Sequence, residues 1–143
     1  FAGDQRAEVI LDRYHGCGPA GGLLTVMEET DLDRFAVIPV DVPLADMNVL
    51  ERLLRIEGDD HQAILLGTSR GAEPLIGVYK RSAFKALSDA VKRRDYKIGK
   101  AVTDVLIISG AELKEKYPEL KGVDFDKSFR NINYEEDYRL LYD

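Results

Sequence analysis

The residues best suited to chemistry in this sequence are carboxylates that close apolar runs. Phe35 to Val40 (FAVIPV) ends at Asp41, followed by Val42-Pro43, and Val9-Ile10-Leu11 ends at Asp12. A carboxylate at the end of a buried strand carries a desolvation cost unless something compensates it. A divalent cation does so efficiently, because Mg²⁺ is commonly held by one or two carboxylates together with substrate phosphates and water. Pro43 removes an N–H and biases Val42 toward an extended backbone, which would keep Asp41 at the sheet edge. The same spacing also suits an aspartate that caps the next helix or pairs with a lysine, and pattern alone leaves these readings open.

Three further stretches carry candidates. Asp12 to Gly22 (DRYHGCGPAGG) leads into a helix, with Gly18-Pro19 at its start. Glycines permit positive φ and close approach of a ligand, and Pro19 suits a first helical turn. Free N–H groups there could meet an anion or the edge of a base, while a plain tight turn explains the same residues. The loop lacks the G-K-[ST] ending of a Walker A motif. His15 and Cys17 do not make a zinc site, which needs three or four protein ligands when His61 is the only other histidine. In Phe129-Arg130-Asn131-Ile132-Asn133, residues i and i+2 of an extended chain point the same way, so Asn131 and Asn133 could present two amides together. Asn133 reads equally well as the N-cap of a last helix. Lys92, Arg93, Arg94, Lys97 and Lys100 form the densest basic stretch, either a solvated helix end or a phosphate contact.

The elements that must position these residues alternate. Strand candidates are Val9–Leu11, Phe35–Val40, Ala63–Leu66, Leu75–Tyr79 and Val105–Ser109, continuous enough in hydrophobicity to be covered on both faces. Helical stripes fall at Leu23/Val26/Met27, at Met47/Leu50/Leu54 behind Asp46 as N-cap, and at Phe84/Leu87/Val91 behind Ser82. Ser109 with Glu112 forms a capping box for a helix that ends before Pro118. Asn133 with Glu136 marks another start. The alternation predicts one domain over 1–143, an α/β three-layer α/β/α sandwich with a mainly parallel sheet, whose ligands sit beyond the carboxyl ends of the strands.

Composition narrows the function. With 143 residues and a net charge of −6, the chain is a poor candidate for nonspecific nucleic-acid binding. No apolar stretch approaches the roughly 20 residues of a membrane helix. A single cysteine excludes an intramolecular disulfide framework, and the first residues do not resemble a signal peptide, so a cytoplasmic location is the expectation.

In order and spacing, Asp12, Gly18-Pro19-Ala20-Gly21-Gly22, Val40-Asp41-Val42-Pro43, Glu73-Pro74-Leu75 and Phe129-Arg130-Asn131-Ile132-Asn133-Tyr134-Glu135-Glu136-Asp137 resemble the molybdenum cofactor guanylyltransferases. That family belongs to the nucleotidyltransferases with a Rossmann-like fold. The resemblance implies Mg²⁺-dependent transfer of GMP from GTP to molybdopterin. It makes Asp41 the metal-binding catalytic aspartate, Asp12, Gly18 and Pro19 nucleotide contacts, and Asn131, Asn133 and Lys97 contacts on the molybdopterin side. It further implies an acceptor molybdoenzyme or cofactor-insertion protein as partner. Ala20, Val40 and Tyr134-Glu135 stand where the family usually has Leu, Cys and Thr-Pro. The family's opening L-A-G-G-x-S-x-R-M-G-x-D-K loop, which wraps the triphosphate and supplies a lysine, has no counterpart here. The expectation is therefore an N-terminally incomplete fold whose 143 residues alone are inactive. Alternatives are a cytidylyltransferase or sugar-nucleotide enzyme of the same fold, or a noncatalytic domain that binds a nucleotide or a protein partner.

Overall fold

The computed structural model describes residues 8–132. Its elements run α1 (Gly18–Glu29), β1 (Arg34–Val37), α2 (Met47–Leu54), β2 (Ala63–Thr68), β3 (Gly71–Lys80), α3 (Phe84–Lys92), α4 (Ile98–Ala101), β4 (Val105–Ser109), α5 (Gly110–Lys116) and α6 (Phe125–Ser128). The strands form one sheet in the order β1-β3-β2-β4. As the alternation predicts, β1, β2 and β4 share a direction. β3 is reversed between β1 and β2, making antiparallel ladders with both, while β2 and β4 pair in parallel. The reversal follows from local sequence: Thr68-Ser69-Arg70-Gly71 closes β2 onto β3 with only two residues between the strands, too few for a crossover.

Side-chain alternation along the strands fills two cores. Ala63, Leu65, Phe35 and Tyr79 pack with α1, α3 and α4, while Ile64, Leu66, Ile76 and Val78 pack with α2, α5 and Phe129. This is the three-layer arrangement expected from near-continuous apolar runs. Tyr79 is fully buried, and burial pushes its phenol well above the ordinary tyrosine value. Its hydroxyl donates to the carbonyl of Pro74 (2.6 Å). Pro74 itself sits in a bulge: Leu65 faces Gly77 and Gly67 faces Ala72, so β3 carries Glu73 to Ile76 against Leu66 alone. A residue without an N–H is tolerated at such a break in the ladder.

Four expectations are corrected. Val9–Leu11 is not a strand; Val9 and Leu11 are 84% and 82% exposed, because no other strand among the described residues lies beside them. Ile38 to Val40 leave the sheet, so β1 is shorter than its apolar run. The buried face of α2 is Val49, Leu50 and Leu53, with Met47 exposed. Ser82 does not cap α3, which is entered through a 3₁₀ turn, Arg81–Ala83. The cap at Asp46 and the capping box of Ser109 and Glu112 are present. The helix start expected at Asn133 lies outside the described residues.

The amino end of the sheet is tied by charged groups. Arg81 donates to the carbonyls of Met27 (2.9 Å), Thr30 (2.6 Å) and Leu32 (2.8 Å), closing the end of α1, where carbonyls lack partners within the helix. Arg34 does the same for α2 through Leu54 and Ile56. Asp59, with a side chain only 8% exposed, accepts from Lys80 and lies 3.0 Å from His61 Nδ1. Burial alone would raise its pKa. The hydrogen bonds from Lys80 and from the His61 backbone, together with both positive charges, outweigh that and hold it below the ordinary carboxylate value. A depressed folded pKa gives stability that is present above the unfolded value of about 3.9 and is lost as pH falls through the folded value. The urea midpoint of Asp59→Asn should therefore lie below that of wild type at pH 7, and the gap should close on acidification below about pH 4. A gap independent of pH would contradict this account.

Candidate functional site

Asp41 lies where β1 has left the sheet, in a loop at the carboxyl end of β1, β2 and β4, where the topology rule places ligands. It is half-buried, and its Oδ1 is shielded from water with no hydrogen-bond partner among the described residues. The two competing explanations for this residue fail. α2 is capped by Asp46, whose carboxylate accepts from Asn48 N (2.9 Å), and none of the ion pairs among the described residues involves Asp41. An unpartnered buried oxygen costs about 1–3 kcal/mol, and a carboxylate oxygen is the donor type that a hard cation takes. Among the described residues no cluster of three or more His, Cys, Asp or Glu side chains gathers, so a site built wholly from protein ligands is not formed.

The chain from Ile38 to Leu44 borders two cavities. On one side lies a groove of about 780 Å³ along the free edge of β1, lined by Pro19, Gly22, Leu23 and Val26 of α1 and by Ile38, Pro39 and Val40. On the other lies a cleft of about 520 Å³ walled by Leu44, by Thr68, Ser69 and Arg70 of the β2–β3 turn, and by residues 124–132 around α6. The cleft is closed by a backbone hydrogen bond from Ile132 N–H to the Asp41 carbonyl (2.8 Å) and by Ser69 Oγ donating to Asp126 Oδ1 (2.8 Å).

On the groove side, the glycine turn is held by polar contacts. Asp12 Oδ1 accepts from Tyr14 N (3.0 Å) and lies 3.1 Å from Thr25 Oγ1. The buried Thr25 hydroxyl also lies 2.9 Å from the Gly21 carbonyl and accepts from Arg13 N (3.1 Å). Gly18 has φ +57°, a left-handed backbone that starts α1. A Cβ on Gly21 would stand 2.8 Å from Cys17 Cβ and 3.0 Å from the Tyr14 carbonyl oxygen, so the turn folds tightly onto the helix. Tyr14 donates to Glu28 Oε1 (2.6 Å); that bond, burial and the Glu28 charge raise its phenol pKa.

The structure thus brings Pro19, Gly22 and the approach to Asp41 to one groove, and Asp41 and Ile132 together across the cleft, with Asn131 adjoining. Lys97 stands apart, exposed as the N-cap of α4 and lining neither cavity. Lys92, Arg93 and Arg94 are exposed at the end of α3, the solvated arrangement. Asn133 lies outside the described residues. Ser69, Arg70 and α6 were not singled out from sequence; the short polar Thr68-Ser69-Arg70-Gly71 stretch with its glycine, between two apolar runs, is the signal that marks Ser69 and Arg70 as a turn.

Residues 1–123 match the MobA-like NTP transferase domain model. The chain belongs to that family. Among relatives of this MobA-like domain, the probable molybdenum cofactor guanylyltransferase of Halalkalibacterium halodurans is 27% identical, over 96% of this chain and 68% of its own length. The corresponding protein of Methanothermobacter thermautotrophicus is 31% identical, with the same coverage. The crystal structure of molybdopterin-guanine dinucleotide biosynthesis protein A from Archaeoglobus fulgidus superposes with a TM-score of 0.74 at 26% identity, covering 94% of this chain and 66% of that one. The chain therefore spans about two thirds of the length of these relatives. The likeness to the solved structure agrees with the Rossmann-like layering expected from sequence. The family match stops at residue 123, before α6 and the outer wall of the cleft.

Thr25→Val tests the turn: it strands the Arg13 N–H and loosens Asp12, and should cost about 1–3 kcal/mol in a urea titration. An unchanged midpoint would show that the turn is held by packing alone.

Proposed function

We propose that this chain is the nucleotidyltransferase domain of a magnesium-dependent guanylyltransferase. Its reaction moves GMP from GTP to molybdopterin, giving molybdopterin guanine dinucleotide and pyrophosphate. The observation that carries the reading is the unpartnered Oδ1 of Asp41, on a segment bordered by a cavity on each side. The names of the relatives, a probable molybdenum cofactor guanylyltransferase and a molybdopterin-guanine dinucleotide biosynthesis protein, support guanylyl transfer; in this reading a phosphate oxygen of the acceptor attacks the α-phosphorus of GTP, and the bond to the bridging oxygen breaks to release pyrophosphate.

In this reading the groove beside Asp12, Gly18 and Pro19 takes the guanine nucleotide, and the cleft beside Asn131 takes the acceptor, with Asn133 continuing that segment. Asp41 faces the junction. Most of the rate enhancement in such a transfer comes from holding both reactants in line and stabilising charge. When bound at Asp41, magnesium would neutralise charge on the triphosphate. Of the proposed substrate contacts among the described residues, Pro19 lines the groove; Gly18 and Asn131 adjoin lining residues in sequence, and Asp12 and Lys97 line neither cavity. The soluble partners of the reading are GTP and molybdopterin, with a molybdoenzyme or insertion protein receiving the product in the cytoplasm. No helix among the described residues is long and apolar enough to cross a membrane.

The 143 residues alone are proposed to be inactive. Two observations support this: the relatives are about half as long again, and among the described residues no strand pairs with the outer edge of β1 beside an apolar groove. Incubating the isolated chain with Mg²⁺, GTP and molybdopterin should yield no dinucleotide, whereas detectable product would refute the statement.

The metal assignment is tested by Asp41→Ala in the protein at its natural length. Without ligand the variant should melt at the wild-type temperature or above it, since the unpartnered oxygen is gone. Mg²⁺ with GTP should raise the melting temperature of wild type but not of the variant, and CTP should raise it less. A variant that keeps the full Mg·GTP response would overturn the role of Asp41.

A further inference from the structure

The cleft carries more positive charge than the reading above uses. Arg70 at the tip of the β2–β3 turn, Lys127 on α6 and Arg130 just beyond it line one space with Leu44, Phe125 and Phe129. The two carboxylates in the same walls are engaged: Asp124 accepts from Lys127 N (3.0 Å) as the cap of α6, and Asp126 accepts from Ser69. Among the described residues the Arg70 guanidinium makes one long hydrogen bond, 3.5 Å, to the Phe129 carbonyl on the opposite wall. A guanidinium has five donors in a planar fork, so this contact leaves most of them for a ligand. Leu44 and Phe125 provide apolar surface for a flat ring, with the arginines in the same walls. Planar forks bind phosphate oxygens in pairs with charge assistance.

We infer that Arg70, supported by Arg130, recognises a terminal phosphate on a planar heterocyclic acceptor and so sets acceptor specificity. This rests on the reading that the cleft is the acceptor side. The position follows from the fold: the two-residue β2–β3 turn places Arg70 at the same end of the sheet as Asp41, across the cleft from Phe129. An acceptor whose phosphate is the attacking group needs that phosphate anchored there, and a ring stacked in the cleft without its phosphate would lack that anchor.

The experiment compares two probes on the protein at its natural length: a pterin with a phosphomonoester side chain, and the same pterin ending in a hydroxyl. Wild type should bind the phosphorylated probe about tenfold or more tightly than the other. Arg70→Gln should abolish that preference, Arg70→Lys should keep part of it, and Arg130→Gln should reduce it. Lys85→Gln, on the exposed face of α3, should leave it unchanged. Absence of a preference in wild type, or its full retention in Arg70→Gln, overturns the inference. Arg130→Gln gives a second measure should the turn variant fold poorly. The Mg·GTP melting response, recorded in parallel, separates the two claims. A preference that is absent in wild type or survives in Arg70→Gln, beside an intact nucleotide response, removes only the arginine assignment. An arginine-dependent preference without any nucleotide response removes only the transferase reading.

Discussion

The arrangement at the carboxyl end of the sheet depends on one peptide hydrogen bond, from Ile132 N–H to the carbonyl of Asp41. Most of the described chain lies between its two partners, so the loop it closes is long, but closure entropy grows only slowly with length. The bond does not act unaided. Phe129, 1% exposed, is sunk in the second core and stacks on Phe125 at 6.1 Å between ring centres, anchoring α6 three residues earlier. With the backbone carbonyl of Asp41 committed to Ile132, its side chain is left as the group without a protein partner. The strand exit and the last described segment thus form one wall in common.

The two ends of the sheet are built differently. At the amino end, Arg81, Arg34 and the Asp59–Lys80 pair each join separate elements through buried or half-buried polar contacts. At the carboxyl end the connections are a two-residue turn, a short helix and irregular loops, with exposed side chains around both cavities. Regions that must admit ligands are drawn from the less stable parts of a fold. A rigid amino end permits that looseness without loss of register in the strands.

Much of this was legible in the sequence, for identifiable reasons. The strands β2, β3 and β4 showed as apolar runs, because a strand covered on both faces needs apolar residues at consecutive positions. The caps at Asp46 and Ser109 showed because capping depends on local side-chain chemistry over three residues. Val9–Leu11 misled, since apolarity identifies a segment able to join a sheet and carries no information on whether a neighbouring strand is there to receive it. The stripe on α2 misled at two of its three residues: Met47 is exposed at the helix start, and Val49 and Leu53 are buried where Leu54 is only half-buried. Asp41 was legible as a candidate, yet its freedom from a cap or a lysine needed three-dimensional contacts. Arg70 was not found at all: nothing in a four-residue turn reveals that the other wall, Phe129, comes from a distant part of the chain.

The unpaired flank of β1 has a consequence for handling the protein. Among the described residues nothing pairs with its outer peptide groups, which lie beside exposed Leu32 and Val40, 59% and 93% accessible, in a row that an extended chain could extend. Collisions between molecules would then govern the working life of a preparation more than heat, and a dilute sample would outlast a crowded one at the same temperature.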